Sequence, residues 1–191
     1  MAINYRACPD CGSKNTLKIV YGDPGNALLM KAESGMIRLG EGCADADSPE
    51  FYCSDCAYEW NREQAIDAAY CAIKTINAFI GGCFGGFYSV NIDFVHPRVS
   101  WCHGGDEVED EEMNKAIRES DASRFADQLK SVHLLDWDAL YVNPDVCDGT
   151  KWSLEIITGE KIIKKTGNNR FPPEWDTFCR KIQELSGKDF Q

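Results

Sequence analysis

Cys8 and Cys11 stand two residues apart, and Cys53 and Cys56 repeat the spacing in Cys53-Ser-Asp-Cys56. Two residues between cysteines let both sulfurs of a pair reach one ion. Four soft thiolates from two such knuckles suit a tetrahedral Zn²⁺ site that is closed to further ligands. The expected metal site is therefore one structural zinc held by Cys8, Cys11, Cys53 and Cys56. A redox-active or decayed pair is the competing reading. The 41 residues between Cys11 and Cys53 exceed the roughly 15 to 20 common for paired sites, so a long excursion must separate the knuckles.

Other residues with chemical potential are sparse. Cys102-His103 is the one place where a thiol and an imidazole adjoin, with Asp106 close by. Cysteine catalysis needs the thiolate beside a base in space, and neighbours on a strand point to opposite faces, which counts against a direct pair. His96 precedes a proline, and His133 ends a helical stretch. Gly81-Gly82-Cys83-Phe84-Gly85-Gly86 has no Gly-Lys-Ser/Thr after it and reads as a strand entry. Trp101, Trp137, Trp152 and Trp175 fall at strand or helix positions, where core packing explains them before a ligand does. Cys43 reads as a small buried hydrophobe.

These residues need elements to hold them. Residues 1–61 read as a zinc ribbon: a knuckle, a strand at Leu17–Tyr21, the turn Gly22-Asp23-Pro24-Gly25, and a second knuckle entered from Phe51-Tyr52. Gly12 stands where the first knuckle wants positive φ, and Ala57 takes the equivalent place after the second. A linking helix is expected over 62–80, capped by Asn61 with Gln64 three residues on, with Ala65, Ile66, Ala69, Tyr70, Ile73 and Ile76 at helical spacing. Residues 81–191 then form a second domain. Tyr88, Val90, Ile92 and Phe94 alternate with Ser89, Asn91 and Asp93, and a strand resumes at Arg98–Trp101. A helix capped by Ser120 or Asp121 buries Phe125, Leu129 and Val132. A hairpin joins Trp152–Ile156 to Lys161–Lys165 after a turn at Asp148-Gly149. A last helix follows Pro172-Pro173 and carries Trp175, Phe178, Cys179, Ile182 and Leu185. The fold class is α+β: a β ribbon, then a mainly antiparallel sheet covered by helices.

With 191 residues and 43% hydrophobic content, the chain can build one small and one medium core. No run approaches the roughly 20 apolar residues of a membrane span, and no secretion signal is visible, so a reducing cytoplasm is the expected location. The net charge is −11. Residues 1–62 carry six Lys/Arg against nine Asp/Glu, and 106–112 form an acidic run that reads as a solvated loop. Only 151–191 is slightly basic, with eight Lys/Arg against six Asp/Glu. Nucleic-acid binding draws its affinity from basic side chains on phosphates, so an acidic ribbon argues against that use.

With its knuckles, Lys18-Ile-Val-Tyr-Gly22, Leu39-Gly-Glu-Gly-Cys43 and Trp60, the first 61 residues resemble the zinc-ribbon modules of small bacterial proteins. The resemblance implies structural zinc through the same four cysteines. From Asp148-Gly-Thr-Lys-Trp152 through Lys164-Lys165, Gly167 and Pro172-Pro-Glu-Trp175, the chain resembles a domain of uncharacterised bacterial proteins, which implies no activity. The expectation for function is a non-enzymatic, zinc-binding interaction protein whose acidic face meets a basic protein, as an inhibitor or immunity-like protein does. A nucleic-acid-associated ribbon using Lys161, Lys164, Lys165 and Arg170, and an enzyme using Cys102 and His103, are the rivals.

Overall fold

The computed structural model describes residues 3–82, 86–105, 108–144, 149–159 and 161–191. The centre of the glycine-rich segment, the acidic pair Asp106-Glu107, Asp148 of the expected turn and Glu160 of the hairpin tip lie outside them. Two units emerge, Ile3–Ala69 and Tyr70–Gln191.

The N-terminal unit is a four-stranded sheet in the order β2-β1-β3-β4. β1 (Thr16–Val20) runs antiparallel to β3 (Phe51–Cys53), and β3 pairs with β4 (Glu59–Trp60). The long excursion between the knuckles holds helix α1 (Asn26–Glu33) and strand β2 (Ile37–Leu39), which lies parallel to β1. The core is small: Cys8, Cys53, Trp60 and Ala65 are buried, with Tyr5 and Phe51 packed against them. Trp60 is fully buried because its indole N–H finds the Tyr5 carbonyl at 2.9 Å.

Helix α2 (Arg62–Cys71) opens on the anticipated reciprocal cap. The Gln64 amide donates to Asn61 Oδ1 and the Asn61 amide to Gln64 Oε1, both at 2.9 Å. The helix expected to run to residue 80 stops at Cys71, and β5 (Ile73–Gly81) begins two residues later. Ile73 and Ile76 satisfy helical spacing, but Ile76, Ala78 and Ile80 also alternate, and all three are buried. In a segment rich in β-branched and aromatic residues, the period of two prevails.

The C-terminal unit is a seven-stranded sheet in the order β8-β7-β6-β5-β10-β11-β9. Its further strands are β6 (Phe87–Asp93), β7 (Arg98–Gly105), β8 (Val108–Ala116), β9 (Leu140–Val142), β10 (Lys151–Thr158) and β11 (Ile162–Asn168). All neighbours are antiparallel except β9 and β11, as the α+β class requires. Helices α3 (Glu119–Ser131) and α4 (Trp175–Ser186) bring Phe125, Leu129, Phe178 and Ile182 to the core. Alternate residues of the strands, among them Val90, Ile92, Val99, Leu154 and Ile156, complete it.

From Val108 onward the acidic run is not a loop. Residues from Val108 onward form β8, an edge strand paired only to β7 among the described strands. Position at the edge resolves the conflict between backbone pairing and charge. β8 hydrogen-bonds on one side, while Glu109, Asp110, Glu111 and Glu112 stay exposed and guard the edge against further strand pairing.

The C-terminal sequence signature is a packing device. Trp137, Trp152 and Trp175 are all buried, with the Trp152 and Trp175 rings 4.6 Å apart. Gly167 lies directly across from Trp152, and a Cβ there would overlap the indole ring. The gap lets Trp152 Nε1 donate to the Arg170 carbonyl at 2.8 Å. Lys165 is fully buried on the same strand, donating through Nζ to the Leu135 carbonyl at 3.1 Å and to the Trp137 carbonyl. Burial holds its pKa below the ordinary lysine value, while Asp136 and Asp138 work in the opposite sense.

Candidate metal centre

Both knuckles are built by the same backbone hydrogen bonds at the same offsets. The Gly12 amide donates to the Cys8 carbonyl at 2.9 Å, and the Ala57 amide to the Cys53 carbonyl at 2.9 Å. The Cys8 amide reaches the Ser13 carbonyl, and the Cys53 amide the Tyr58 carbonyl, again at 2.9 Å each. Closing each turn requires a left-handed residue. Gly12 supplies it at φ 73°, and Ala57 adopts it at φ 62° despite its Cβ. The strand register Thr16↔Cys53 brings the knuckles face to face.

A polar clamp holds them there. The Ser54 amide donates to the Asn15 carbonyl at 2.9 Å, Asn15 Nδ2 donates to Asp55 Oδ1 at 2.7 Å, and Ser13 Oγ donates to Asp55 Oδ2. The hydrogen bond from Ser13, then that from Asn15, holds the Asp55 carboxyl below the usual carboxylate range. Sequence reading passed over this clamp. Its signal is Ser-x-Asn directly after the first knuckle and an Asp just before the last cysteine.

The result is four sulfur atoms mutually within 4.8 Å. Cys8 Sγ lies 3.6 Å from Cys56 Sγ, and Cys11 Sγ lies 3.5 Å from Cys53 Sγ. A disulfide needs about 2.05 Å, and all four are free thiols. A regular tetrahedron with metal–sulfur bonds of about 2.3 Å has edges of about 3.8 Å, so the donor set fits one ion of zinc size. Cys8 and Cys53 are buried, whereas Cys11 and Cys56 are exposed. Burial raises the Cys53 thiol, but the Cys56 and Asp55 amides and the neighbouring thiols outweigh it and bring its pKa down to about 7. At Cys56 the Tyr58 amide favours the thiolate, yet burial and the sulfurs of Cys11, Cys8 and Cys53 push the thiol up overall. One sulfur ionises readily, and its neighbours then resist a second negative charge. A bound dication relieves that resistance.

The remaining chemical candidates do not assemble. Cys102 and His103 lie on opposite faces of β7. Cys102 pairs across to Ser89 and Glu112, while the His103 ring stacks on Tyr88 at 4.2 Å. Burial, then the charges of Glu112 and Asp110, raise the Cys102 thiol, which is the wrong direction for a nucleophile. His96 is exposed, its ring 3.3 Å from Asp93 Oδ2 in a tight turn. Exposed His133 adopts φ 49° after α3. Cys43, expected to be buried, is exposed and takes no part in the sulfur cluster, in a stretch, 21–50, where no residue is buried. Among the described residues no helix is long and apolar enough to cross a membrane. The chain matches no protein-family model and no curated protein.

Proposed function

We propose that the chain is a zinc-binding interaction protein of the cytoplasm, in which one zinc on Cys8, Cys11, Cys53 and Cys56 holds the N-terminal ribbon and the C-terminal unit recognises a basic protein partner. The observation that carries the metal reading is the sulfur tetrad, mutually within 4.8 Å and with edges of 3.5 and 3.6 Å that suit a single tetrahedral ion. Such an ion stabilises the fold and leaves no open position for a substrate. The four-thiolate chemistry favours zinc over harder cations. The resemblance to bacterial zinc ribbons supports the same ligand set.

The partner reading rests on charge. The exposed acidic edge β8 lies in a chain of net charge −11 and gives a basic surface a steering field and a row of carboxylates. An inhibitor or immunity-like role, in which this edge masks a cationic site, follows from that field. The nucleic-acid alternative loses half of its basic footprint, since Lys165 is buried and Lys164 is bound to Glu155 at 2.6 Å.

Elemental analysis of protein purified without chelator or metal-binding tag tests the metal. One zinc per chain that is lost in Cys53→Ser is the expected result, and none in either form refutes it. Capture from native lysate at low salt tests the partner. The expected result is a protein of high isoelectric point that salt releases, and a partner that survives high salt or binds equally after Glu109, Glu111 and Glu112 are changed to Gln overturns the charge argument.

A further inference from the structure

We propose that the face of the seven-stranded sheet opposite α3 and α4 is a binding site for a saccharide that carries no negative charge. A cavity of about 700 Å³ lies on that face, formed by five adjacent strands and within the roughly 300–1,000 Å³ of small-molecule sites. Register aligns two rows of side chains across it. One row runs Glu155, Asn77, Asn91, Ser100, Asn114, and the other Ser153, Phe79, Ser89, Cys102, Glu112.

Their chemistry matches a polyol. Every sugar hydroxyl both donates and accepts, and so do the Asn and Ser side chains that make up six of these ten positions. The strands repeat at about 4.8 Å, similar to the advance of one ring along an extended oligosaccharide. Hydrogen bonding orders the first row before any ligand arrives. Asn91 Nδ2 donates to Asn77 Oδ1 at 2.6 Å, Asn77 lies across from Glu155, Lys164 holds Glu155, and Arg98 Nη1 donates to Asn114 Oδ1 at 2.9 Å.

An aromatic floor adjoins these polar rows. Phe79 is 37% exposed, and its ring stacks on Phe87 at 5.7 Å. Phe87 has glycine on both cross-strand sides, Gly81 and Gly104, and a Cβ at either would come within 3.3 Å of it. The ring pair is thus fixed in advance and offers its surface to the C–H face of a pyranose at little ordering cost. Charge settles which saccharides fit. The cavity lining includes Glu112 and Glu155 but no Lys or Arg among the described residues, and the two cations that touch it are engaged by lining groups, Lys164 by Glu155 and Arg98 by Asn114, so phosphorylated, sialylated or nucleotide ligands find no counter-charge within the lining.

Titration of the ¹⁵N-labelled 191-residue chain by NMR, with cellotriose, maltotriose and chitotriose as neutral probes and 3′-sialyllactose and AMP as anionic ones, tests the site. The expected result is saturable shifts of the Asn77, Asn91 and Asn114 side-chain amides with a neutral probe. Phe79→Ala and Asn91→Ala, both at exposed positions, are expected to weaken that binding about tenfold with the thermal midpoint retained. Three outcomes overturn the proposal: no shift from any neutral probe up to roughly 10 mM, equal or tighter binding of an anionic probe, or shifts that depend on protein concentration with a doubling of mass, which would make a second copy the occupant. None of these outcomes bears on the zinc site, which is read separately by metal content.

Discussion

The two knuckles differ at one matched position, and that difference has a calculable consequence. Gly12 and Ala57 occupy the same place in the same turn, at φ 73° and 62°. For an L-residue with a Cβ, the left-handed region costs roughly 1–2 kcal/mol. A Cβ at Gly12 would meet nothing within 4 Å, so Gly12→Ala adds only that backbone cost and no clash. Alanine recovers about 0.4–1 kcal/mol by restricting the unfolded chain, and the net loss is about 1 kcal/mol. Ala57→Gly runs the argument backwards. It relieves the same strain, gives back the same entropy, and stabilises the second knuckle by about 0.5–1 kcal/mol.

Zinc affinity is the assay, because folding of a knuckle and capture of the ion are coupled. At about 1.4 kcal/mol per tenfold, competition against a chromophoric chelator should show Gly12→Ala weakened about fivefold and Ala57→Gly tightened about two- to fivefold. The double swap should return close to the starting affinity, since the two strains are local to separate turns. An Ala57→Gly variant that binds zinc no better would refute the reasoning. It would mean that the metal geometry, not the backbone, sets the left-handed residue.

Further perturbations follow from individual contacts. Gly167→Ala should drive a methyl into the Trp152 ring and break its bond to Arg170, costing about 1–3 kcal/mol and several degrees of thermal midpoint; an unchanged midpoint would contradict that packing. Lys165→Met should leave the Leu135 and Trp137 carbonyls without their donor, at about 1–3 kcal/mol in urea unfolding at neutral pH. Because burial depresses the Lys165 pKa, the unfolded chain binds that proton more tightly, so this group makes stability rise with pH between its folded value and the ordinary one near 10.4. The methionine variant should lack that rise, and parallel curves for the two proteins would refute it. Asn61→Ala removes one arm of the reciprocal cap of α2 and should cost about 1 kcal/mol by denaturant unfolding; no loss would mean that the cap is redundant.

The cluster of four cysteines was legible because its information is local. Two residues between cysteines fix which sulfurs can share an ion, and no tertiary knowledge is needed to pair them. The clamp of Asp55 on Ser13 and Asn15 was harder to see, since each partner is an ordinary polar residue until β1 and β3 bring the knuckles together. Cys102 and His103 show how alternation along a strand can be read correctly without the fold. Adjacent positions separate to opposite faces whatever sheet they join, and here one meets Ser89 and the other Tyr88.

What resisted reading was the edge and the order of the large sheet. An acidic run has the same composition in a loop and in an edge strand, and only the neighbour distinguishes them. β8 begins at Val108 and pairs antiparallel to β7, so the charged segment pairs on one side and stays solvated. Ile73 and Ile76 misled the reading of α2, because three residues apart is helical spacing, and both are buried on β5 only where the pairing with β10 shifts register between Ile157 and Thr158. The deciding residues lie beyond them: Ala78 and Ile80 continue a period of two, and β6 and β10 flank the segment on both sides. β5 is thereby the central strand of the sheet. Its alternate positions build both faces, with Ile76, Ala78 and Ile80 in the core and Asn77 and Phe79 in the open groove. A helix through the same residues would have supplied neither the core nor the groove, so the segment hardest to assign from sequence is the one on which both depend.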